Sequence, residues 1–247
     1  MFFLGGWFLK ITVLLLAGRA LYEFYHVLEV KGHAPVKILG YGVWLAYFGV
    51  LFFAEDPSSH LGVILALTLV LGFVYMVFDQ KTTVVDVGIT MAGVIYTVVI
   101  FGFLVMLEAK EHGIYFVYSV FIISWVCDTM AYYSGRLFGK HKLIERVSPK
   151  KTVEGAIGGL AGGALGAFVL GQLIAGTTSI SPWHFLVMGF FGAMFGQVGD
   201  LAASAIKRYS NEKDYPKLIP GHGGILDRFD SILFVSLLVY VYTSYVL

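Results

Sequence analysis

The segment that decides the fold is residues 86–107, which read DVGITMAGVIYTVVIFGFLVML. Apart from Asp86 it carries no charged residue, and its length matches the roughly 20 apolar residues that an α-helix needs to cross a bilayer. We therefore predict an all-α, polytopic integral membrane protein with about eight transmembrane helices, forming a single domain over residues 1–247. The other mostly apolar segments are 2–18, 38–54, 61–78, 114–134, 154–175, 183–203 and 231–247.

The composition supports a lipid environment. Hydrophobic residues make up 58% of the chain and charged residues 13%, whereas a soluble domain has about 45–50% and about 25%. The net charge of +1 indicates no general attraction to nucleic acid. The single cysteine, Cys127, excludes an internal disulfide and a multi-cysteine metal site. Whether the chain forms a homo-oligomer is left open.

Lysine and arginine concentrate on one side of the predicted membrane. The loops at about 135–153 and about 204–230, together with Arg19, Lys31, Lys37 and Lys81, place fifteen basic residues on one side and only Lys110 on the other. Because loops rich in Lys and Arg stay inside, we expect both long loops to face the cytoplasm from the cell membrane. The same assignment puts Met1 outside without a nearby basic residue, so we expect a further helix before it.

Three acids lie at predicted membrane depth, namely Asp128, Glu154 and Asp200. Such a residue costs roughly 2.5–3.5 kcal/mol on insertion scales and indicates a functional site. Asp128 has an alternative role as a buried acid satisfied by Tyr132 or Tyr133. For Asp200, helical spacing predicts one polar stripe. Its other members are Gln197, Ser204, Lys207 and Arg208.

A snorkelling helix end would account for the two basic residues of this stripe, because their long stems reach the interface. It does not account for Asp200, which lies one or two turns deeper. Small residues recur at four-residue spacing in two of the segments, which favours close packing between helices. They are Gly155, Gly158, Gly159, Gly162, Gly163, Gly166, Gly192 and Gly196.

The second long loop carries the chemistry. Residues 204–231 read SAIKRYSNEKDYPKLIPGHGGILDRFDS, with five basic and four acidic residues. Glycines directly before an apolar helix expose backbone N–H groups that suit an anion. Carboxylates among phosphate-binding cations indicate a divalent ion such as Mg²⁺, for which Asp200, Asp227 and Asp230 are candidate ligands. The alternative is an amphipathic loop that binds anionic lipid headgroups.

This loop resembles the signature of the phosphatidate cytidylyltransferase (CDP-diacylglycerol synthase) family. Pro216 departs from the small residue usual at its position, which puts only the spacer geometry in doubt. Segments 21–25, 128–129 with 135–136, 139–142 and 148–155 are also similar to that family. The matching positions of the signature are Ser204, Lys207, Arg208, Lys213, Asp214, Pro220, His222, Gly223, Gly224, Asp227, Arg228 and Asp230.

The resemblance implies a reaction of CTP with phosphatidate in membrane lipid, giving CDP-diacylglycerol and pyrophosphate with Mg²⁺, for which Mn²⁺ is a possible substitute. It implies that Asp200 and Asp227 hold the metal, with Asp128 and Asp230 as further candidates. Family members usually begin with one more membrane helix. The implied catalytic residues are Lys207, Arg208, Lys213, Asp214, His222 and Arg228, and the implied substrate-binding residues are Ser204, Gly221, Gly223, Gly224, Lys150 and Lys151.

Other activities compete with this interpretation. A polyprenol kinase or an ether-lipid cytidylyltransferase would use a related site. An ion-coupled transporter would also carry embedded acids, but the polar residues here gather at one face rather than at the midplane. Motifs of soluble nucleotide-binding folds and of H-E-x-x-H metal sites do not occur in the sequence.

Overall fold

The structure is a computed structural model that describes residues 5–216 and 223–247. In these ranges the chain forms eight α-helices and one antiparallel hairpin. Helix α4 contains a π-helical segment, Val94–Val99. The helices are α1 Gly6–Val30, α2 Lys37–Phe53, α3 Pro57–Phe78, α4 Val84–Glu108, α5 Gly113–Phe138, α6 Val153–Leu173, α7 Pro182–Tyr209 and α8 Leu226–Tyr245, and the hairpin pairs β1 Lys142–Ile144 with β2 Ser148–Thr152.

Each predicted apolar segment corresponds to one of the eight helices of the described ranges, which confirms the predicted all-α, polytopic membrane class. Six of these helices, all except α2 and α8, are long and apolar enough to cross a membrane. Helix α2 is apolar but has only 17 residues. The number of membrane crossings therefore stays a prediction.

Helix α3 shows most directly that the chain is built for lipid. Of its 22 residues only Thr68 and Gly72 are buried, although its mean hydropathy in the most apolar window is 2.6. A soluble protein rarely exposes so large a continuous apolar surface. Asp56 caps the helix by accepting a hydrogen bond from the Ser58 N–H at 3.1 Å, so the chain enters the helix with that end satisfied.

The structure corrects three predicted boundaries. Helix α1 extends to Val30, so Arg19 lies inside a helix and its inclusion among the loop cations was wrong. The predicted loop at 135–153 contains the last turn of α5 and the β-hairpin. The predicted loop at 204–230 is shorter, since α7 continues to Tyr209 and α8 begins at Leu226.

The chain divides into two compact units. The first unit comprises the described residues 5–106, 207–216 and 223–228, and the second comprises 107–206 and 229–247. The predicted single catalytic domain stays a prediction.

The first unit packs around Tyr25, whose side chain is 1% exposed. Its hydroxyl donates to the Thr90 carbonyl at 3.0 Å. Its side chain fills the space beside two glycines: a Cβ on Gly40 would lie 2.3 Å from the Tyr25 hydroxyl oxygen, and a Cβ on Gly93 would lie 2.4 Å from the ring. The Thr90 hydroxyl also accepts from the Val36 N–H at 2.8 Å. These contacts join α1, α2 and α4.

The second unit is held by the glycine faces of α6 and α7. A Cβ on Gly189 would lie 2.7 Å from the Gly163 carbonyl oxygen and 2.8 Å from the Ala164 Cα. On the other side, a Cβ on Gly155 would lie 2.8 Å from the Ala131 carbonyl oxygen of α5. Backbone atoms cannot move aside as side-chain ends can. The prediction that these glycines serve close helix packing is therefore confirmed.

We expect Gly189→Ala to destabilise the protein by about 1–3 kcal/mol, the usual cost of overpacking. The matched control is Gly62→Ala, also in a helix, where an added Cβ would meet nothing within 4 Å. Thermal unfolding of detergent-purified protein measures both. Equal unfolding temperatures for the two variants would contradict the close packing.

Candidate active site

A cavity of about 380 Å³ opens in the second unit, between α5, β2 and the start of α6, with α7 completing its wall. This volume lies in the range of small-molecule sites. Four residues predicted from the sequence meet here, two as metal ligands and two as substrate contacts. The charged and amide side chains that line the cavity are Asp128, Arg136, Lys150, Lys151, Gln197 and Asp200.

Asp200 forms the electrostatic centre of the cavity. Its Oδ2 pairs with the Lys151 Nζ of β2, and the Ser204 hydroxyl lies 3.5 Å from its Oδ1. The side chains of Lys151 and Asp200 retain 27% and 30% of their exposure. Because α7 is a continuous helix through Tyr209, the helical setting predicted for this polar stripe is confirmed.

Gln197 is one turn before Asp200 and ties α7 to α6. Its Nε2 donates to the Ala156 carbonyl at 3.0 Å and lies 3.5 Å from the Cys127 Sγ. The close approach is possible because a glycine, Gly159, lies opposite, where a Cβ would come within 3.0 Å of the same Nε2. Gln197 therefore fixes the helix register that presents Asp200 to the cavity.

Asp128 is exposed to the cavity rather than enclosed in a core. The alternative of a buried acid satisfied by a tyrosine is therefore wrong. The Tyr132 hydroxyl instead accepts a hydrogen bond from the Arg136 guanidinium at 3.4 Å. This contact joins two groups that line the same cavity, one turn apart on α5.

The hairpin that carries Lys150 and Lys151 is fastened by Glu154. The Glu154 carboxylate contacts the His141 Nδ1 at 2.6 Å and accepts from the backbone N–H of Lys140 at 3.1 Å and of His141 at 3.3 Å. Glu154 lies in the first turn of α6, so this acid holds the hairpin at a helix end. The predicted membrane depth of Glu154 indicated a functional site. Its contacts instead show a structural role, because they join the start of α6 to the residues before β1.

A second polar cluster lies in the first unit, at the start of α8. The Asp227 Oδ1 pairs with the Lys207 Nζ, while its Oδ2 accepts from the backbone N–H of Tyr215 at 3.0 Å and of Gly224 at 3.1 Å. The Lys207 Nζ also lies 5.4 Å from the centre of the Tyr215 ring. Asp227 thus joins the end of α7, the loop and the start of α8.

Glu23 of α1 completes this cluster, and the sequence did not reveal its role. Its side chain is fully buried. It accepts from the N–H of Ile225 and of Leu226, both at 2.9 Å, and from the Arg19 Nε at 2.9 Å. Residues 21–25 are similar to the family, but the sequence analysis assigned Arg19 to a loop. It therefore did not predict that Arg19 and Glu23, four residues apart on one helix, form an ion pair.

The predicted anion site at this helix start is thus bonded to carboxylates of the protein itself. The N–H groups of Gly224, Ile225 and Leu226 all donate to Asp227 or Glu23. A phosphate could bind the Gly224 N–H only if one of these bonds broke. Phosphate contact at Gly223, which has φ +73°, and at Gly224 stays a prediction.

The remaining predicted residues are distributed as follows. Arg208, Lys213, Asp214 and Arg228 are exposed. Asp230 is buried and accepts from the Ser231 N–H at 2.7 Å. Gly221 and His222 lie outside the described residues. Asp227 belongs to the first unit and Asp200 to the second, so the ion that we predicted them to share stays a prediction.

Comparison with known proteins decides the family. The sequence model of the cytidylyltransferase family matches residues 1–246. Phosphatidate cytidylyltransferases of Staphylococcus saprophyticus and Staphylococcus haemolyticus are each 33% identical to this chain, over 94% of it and 88% of their own length. That of Staphylococcus aureus is 42% identical over 54% of this chain and 51% of its own length. The chain belongs to the cytidylyltransferase family.

Membership of the cytidylyltransferase family confirms the resemblance found in the sequence and the predicted class of enzyme, a membrane-embedded nucleotidyltransferase. In the described part of the chain no three His, Cys, Asp or Glu side chains gather as a full metal cage. Asp128 and Asp200 in one cavity do fit Mg²⁺, which proteins commonly hold through one or two carboxylates plus substrate phosphates.

Proposed function

We propose that this cytidylyltransferase transfers the cytidylyl group of CTP to phosphatidate, at the cytoplasmic face of the cell membrane. The observation that carries the proposal is the cavity of the second unit, where two carboxylates and three basic side chains share one space. The family and the names of the relatives support the same reaction. The products are CDP-diacylglycerol, for phospholipid synthesis, and pyrophosphate.

The reaction joins two anions. A phosphate oxygen of phosphatidate forms a bond to the α-phosphorus of CTP, and the bond from that phosphorus to the β-phosphate oxygen breaks, so pyrophosphate leaves with the electron pair. Little covalent chemistry is required of the protein. Alignment and neutralisation of charge supply most of the rate in phosphoryl-type transfer. Arg136, Lys150 and Lys151 are the side chains that we assign to this task.

We assign Asp128 and Asp200 to a Mg²⁺ ion, with Mn²⁺ as a substitute. The ion, when bound, would neutralise phosphate charge and polarise the α-phosphate. Lys151 pairs with Asp200, so this lysine lies directly beside the acid that we assign to the ion. Three basic residues of the signature, Arg208 in α7, Lys213 in the loop and Arg228 in α8, are exposed and suit phosphate oxygens. Lys207 pairs with Asp227.

Turnover should require phosphatidate and Mg²⁺ together. With CTP labelled at the α-phosphate, we expect label in the lipid product only when both are present, and release of one pyrophosphate for each product. Purified protein in mixed micelles of detergent and lipid measures this. Transfer of the γ-phosphate of CTP to a polyprenol, measured with CTP labelled at that phosphate, or equal transfer of the α-label from ATP to phosphatidate, would contradict the proposed substrates.

Asp128→Asn and Asp200→Asn should each lower turnover by at least about 10²-fold, the scale observed when one preorganised electrostatic group is lost. Since both acids would serve one ion, the double variant should be little worse than either single variant. Raised Mg²⁺ should partly restore each single variant. The control is Glu55→Gln, an exposed acid between α2 and α3, which should retain turnover. Near-normal turnover of Asp200→Asn at low Mg²⁺ would exclude Asp200 as a ligand.

The basic hairpin should face the cytoplasm. A cysteine at Lys142, whose side chain is exposed, in a background that lacks Cys127, should be protected from a membrane-impermeant thiol reagent in intact cells. It should react once the membrane is permeabilised. Labelling before permeabilisation would reverse the proposed orientation.

A further inference from the structure

Glu23 makes contacts that the chemistry of CTP and phosphatidate does not explain. It lies within α1, near neither end, and its side chain is 0% exposed. A buried carboxylate needs partners for its charge and its lone pairs. The partners of Glu23 are Arg19, one turn earlier on α1, and the backbone at the start of α8, about two hundred positions later in the chain.

The geometry at the start of α8 is built around this carboxylate. The first N–H groups of a helix lack partners within the helix and carry partial positive charge. Glu23 accepts hydrogen bonds from the N–H of Leu226, the first residue of α8, and of Ile225 just before it. Asp227 accepts one from the N–H of Gly224. A Cβ on Gly224 would lie 2.5 Å from the Glu23 Oε2. Only glycine therefore allows so close an approach.

Arg19 extends the same arrangement to the other end of the loop. Its Nε donates to Glu23 and its Nη2 donates to the Pro216 carbonyl at 3.0 Å. Tyr215, next to Pro216, donates its N–H to Asp227. Both described flanks of the segment 217–222 are thus bonded to the Arg19–Glu23 pair of α1, either directly or through Asp227.

We propose that Glu23 is a positioning residue: its carboxylate fills the anion site at the start of α8 and, with Arg19, holds both described flanks of the loop between α7 and α8, beside the pair of Lys207 with Asp227. The proposed ligand of the helix start is therefore the protein's own carboxylate, and substrate phosphate is left to basic side chains. The effect on turnover rests on the proposed function, whereas the hold on the loop does not.

Two measurements on the full-length protein test this inference. Glu23→Gln keeps the size of the side chain but replaces one acceptor oxygen with a donor that faces an N–H group. We expect turnover of CTP with phosphatidate to fall by about 10²-fold, as for a small displacement of catalytic groups. We also expect trypsin to cleave after Arg208 or Lys213 at least about tenfold faster, because fewer bonds hold the described flanks of the loop.

The controls separate a local effect from a general loss of stability. Glu29 lies on the same helix as Glu23 and forms a partly exposed ion pair of 2.6 Å with Lys37 of α2. Glu29→Gln breaks this pair and should behave as the unchanged protein. Cleavage after Lys142 or Arg146, in the hairpin of the second unit, should not change in Glu23→Gln. Glu23→Asp keeps the charge beside Arg19 but has a shorter side chain, so its turnover and its loop cleavage should lie between those of Glu23→Gln and of the unchanged protein. It replaces Glu23→Gln in the test if that variant does not fold.

Three results would overturn the inference. The first is loop cleavage in Glu23→Gln, or in Glu23→Asp where that variant is used, at the rate of the unchanged protein. The second is a parallel rise of cleavage in loop and hairpin, which indicates general destabilisation. The third is faster loop cleavage with unchanged turnover. If the unchanged protein does not transfer label from CTP to phosphatidate, the proposed function fails instead, and the cleavage pattern alone decides whether Glu23 holds the loop.

Discussion

The structure depends on the cost of leaving a charge or a backbone polar group without a partner in a largely apolar surrounding. Three ion pairs among the described residues show how the chain meets this cost. Arg19 pairs with Glu23, Lys151 with Asp200, and Lys207 with Asp227. In each pair at least one partner also fixes a segment outside the regular helix, either the hairpin or the loop before α8. These ion pairs therefore also position the hairpin and the loop before α8.

The two polar clusters use carboxylates in different ways. In the first unit, Glu23 and Asp227 accept from backbone N–H groups and so organise the chain. In the second unit, Asp128 and Asp200 line an open cavity together with basic side chains. A carboxylate bonded to backbone N–H groups has little capacity left for a cation, whereas one that faces a cavity keeps it. This contrast is the reason for assigning the divalent ion to Asp128 and Asp200.

The sequence was sufficient for the membrane class, for the eight helices of the described ranges and for the family, because these depend on long apolar runs and on a loop with many fixed residues. The family resemblance implied Asp200 and Lys151 in separate roles, and the structure brings the two side chains together in one cavity. The sequence failed at Glu23. The hydrogen-bond partners of an acid inside a helix are not evident from the sequence when they are distant in the chain. Glu23 bonds to Ile225 and Leu226, which are 202 and 203 positions away. The same long range explains why the sequence did not show that Glu23 accepts hydrogen bonds at the start of α8.

Glycine links these observations, because it allows both the packing and the polar contacts. In α6 and α7, glycines let backbones approach until a Cβ would touch carbonyl oxygens, which leaves no room for side chains between them. Gly199 directly precedes Asp200 in the sequence, and a Cβ at Gly199 would lie 2.5 Å from the Asp230 carbonyl oxygen of α8. Asp200, which lines the cavity, therefore follows a glycine at which α7 packs closely against α8. A side chain at Gly199 would move α7 and the carboxylate of Asp200 together, so that the packing of the second unit and the charge of its cavity are set by the same turn of helix.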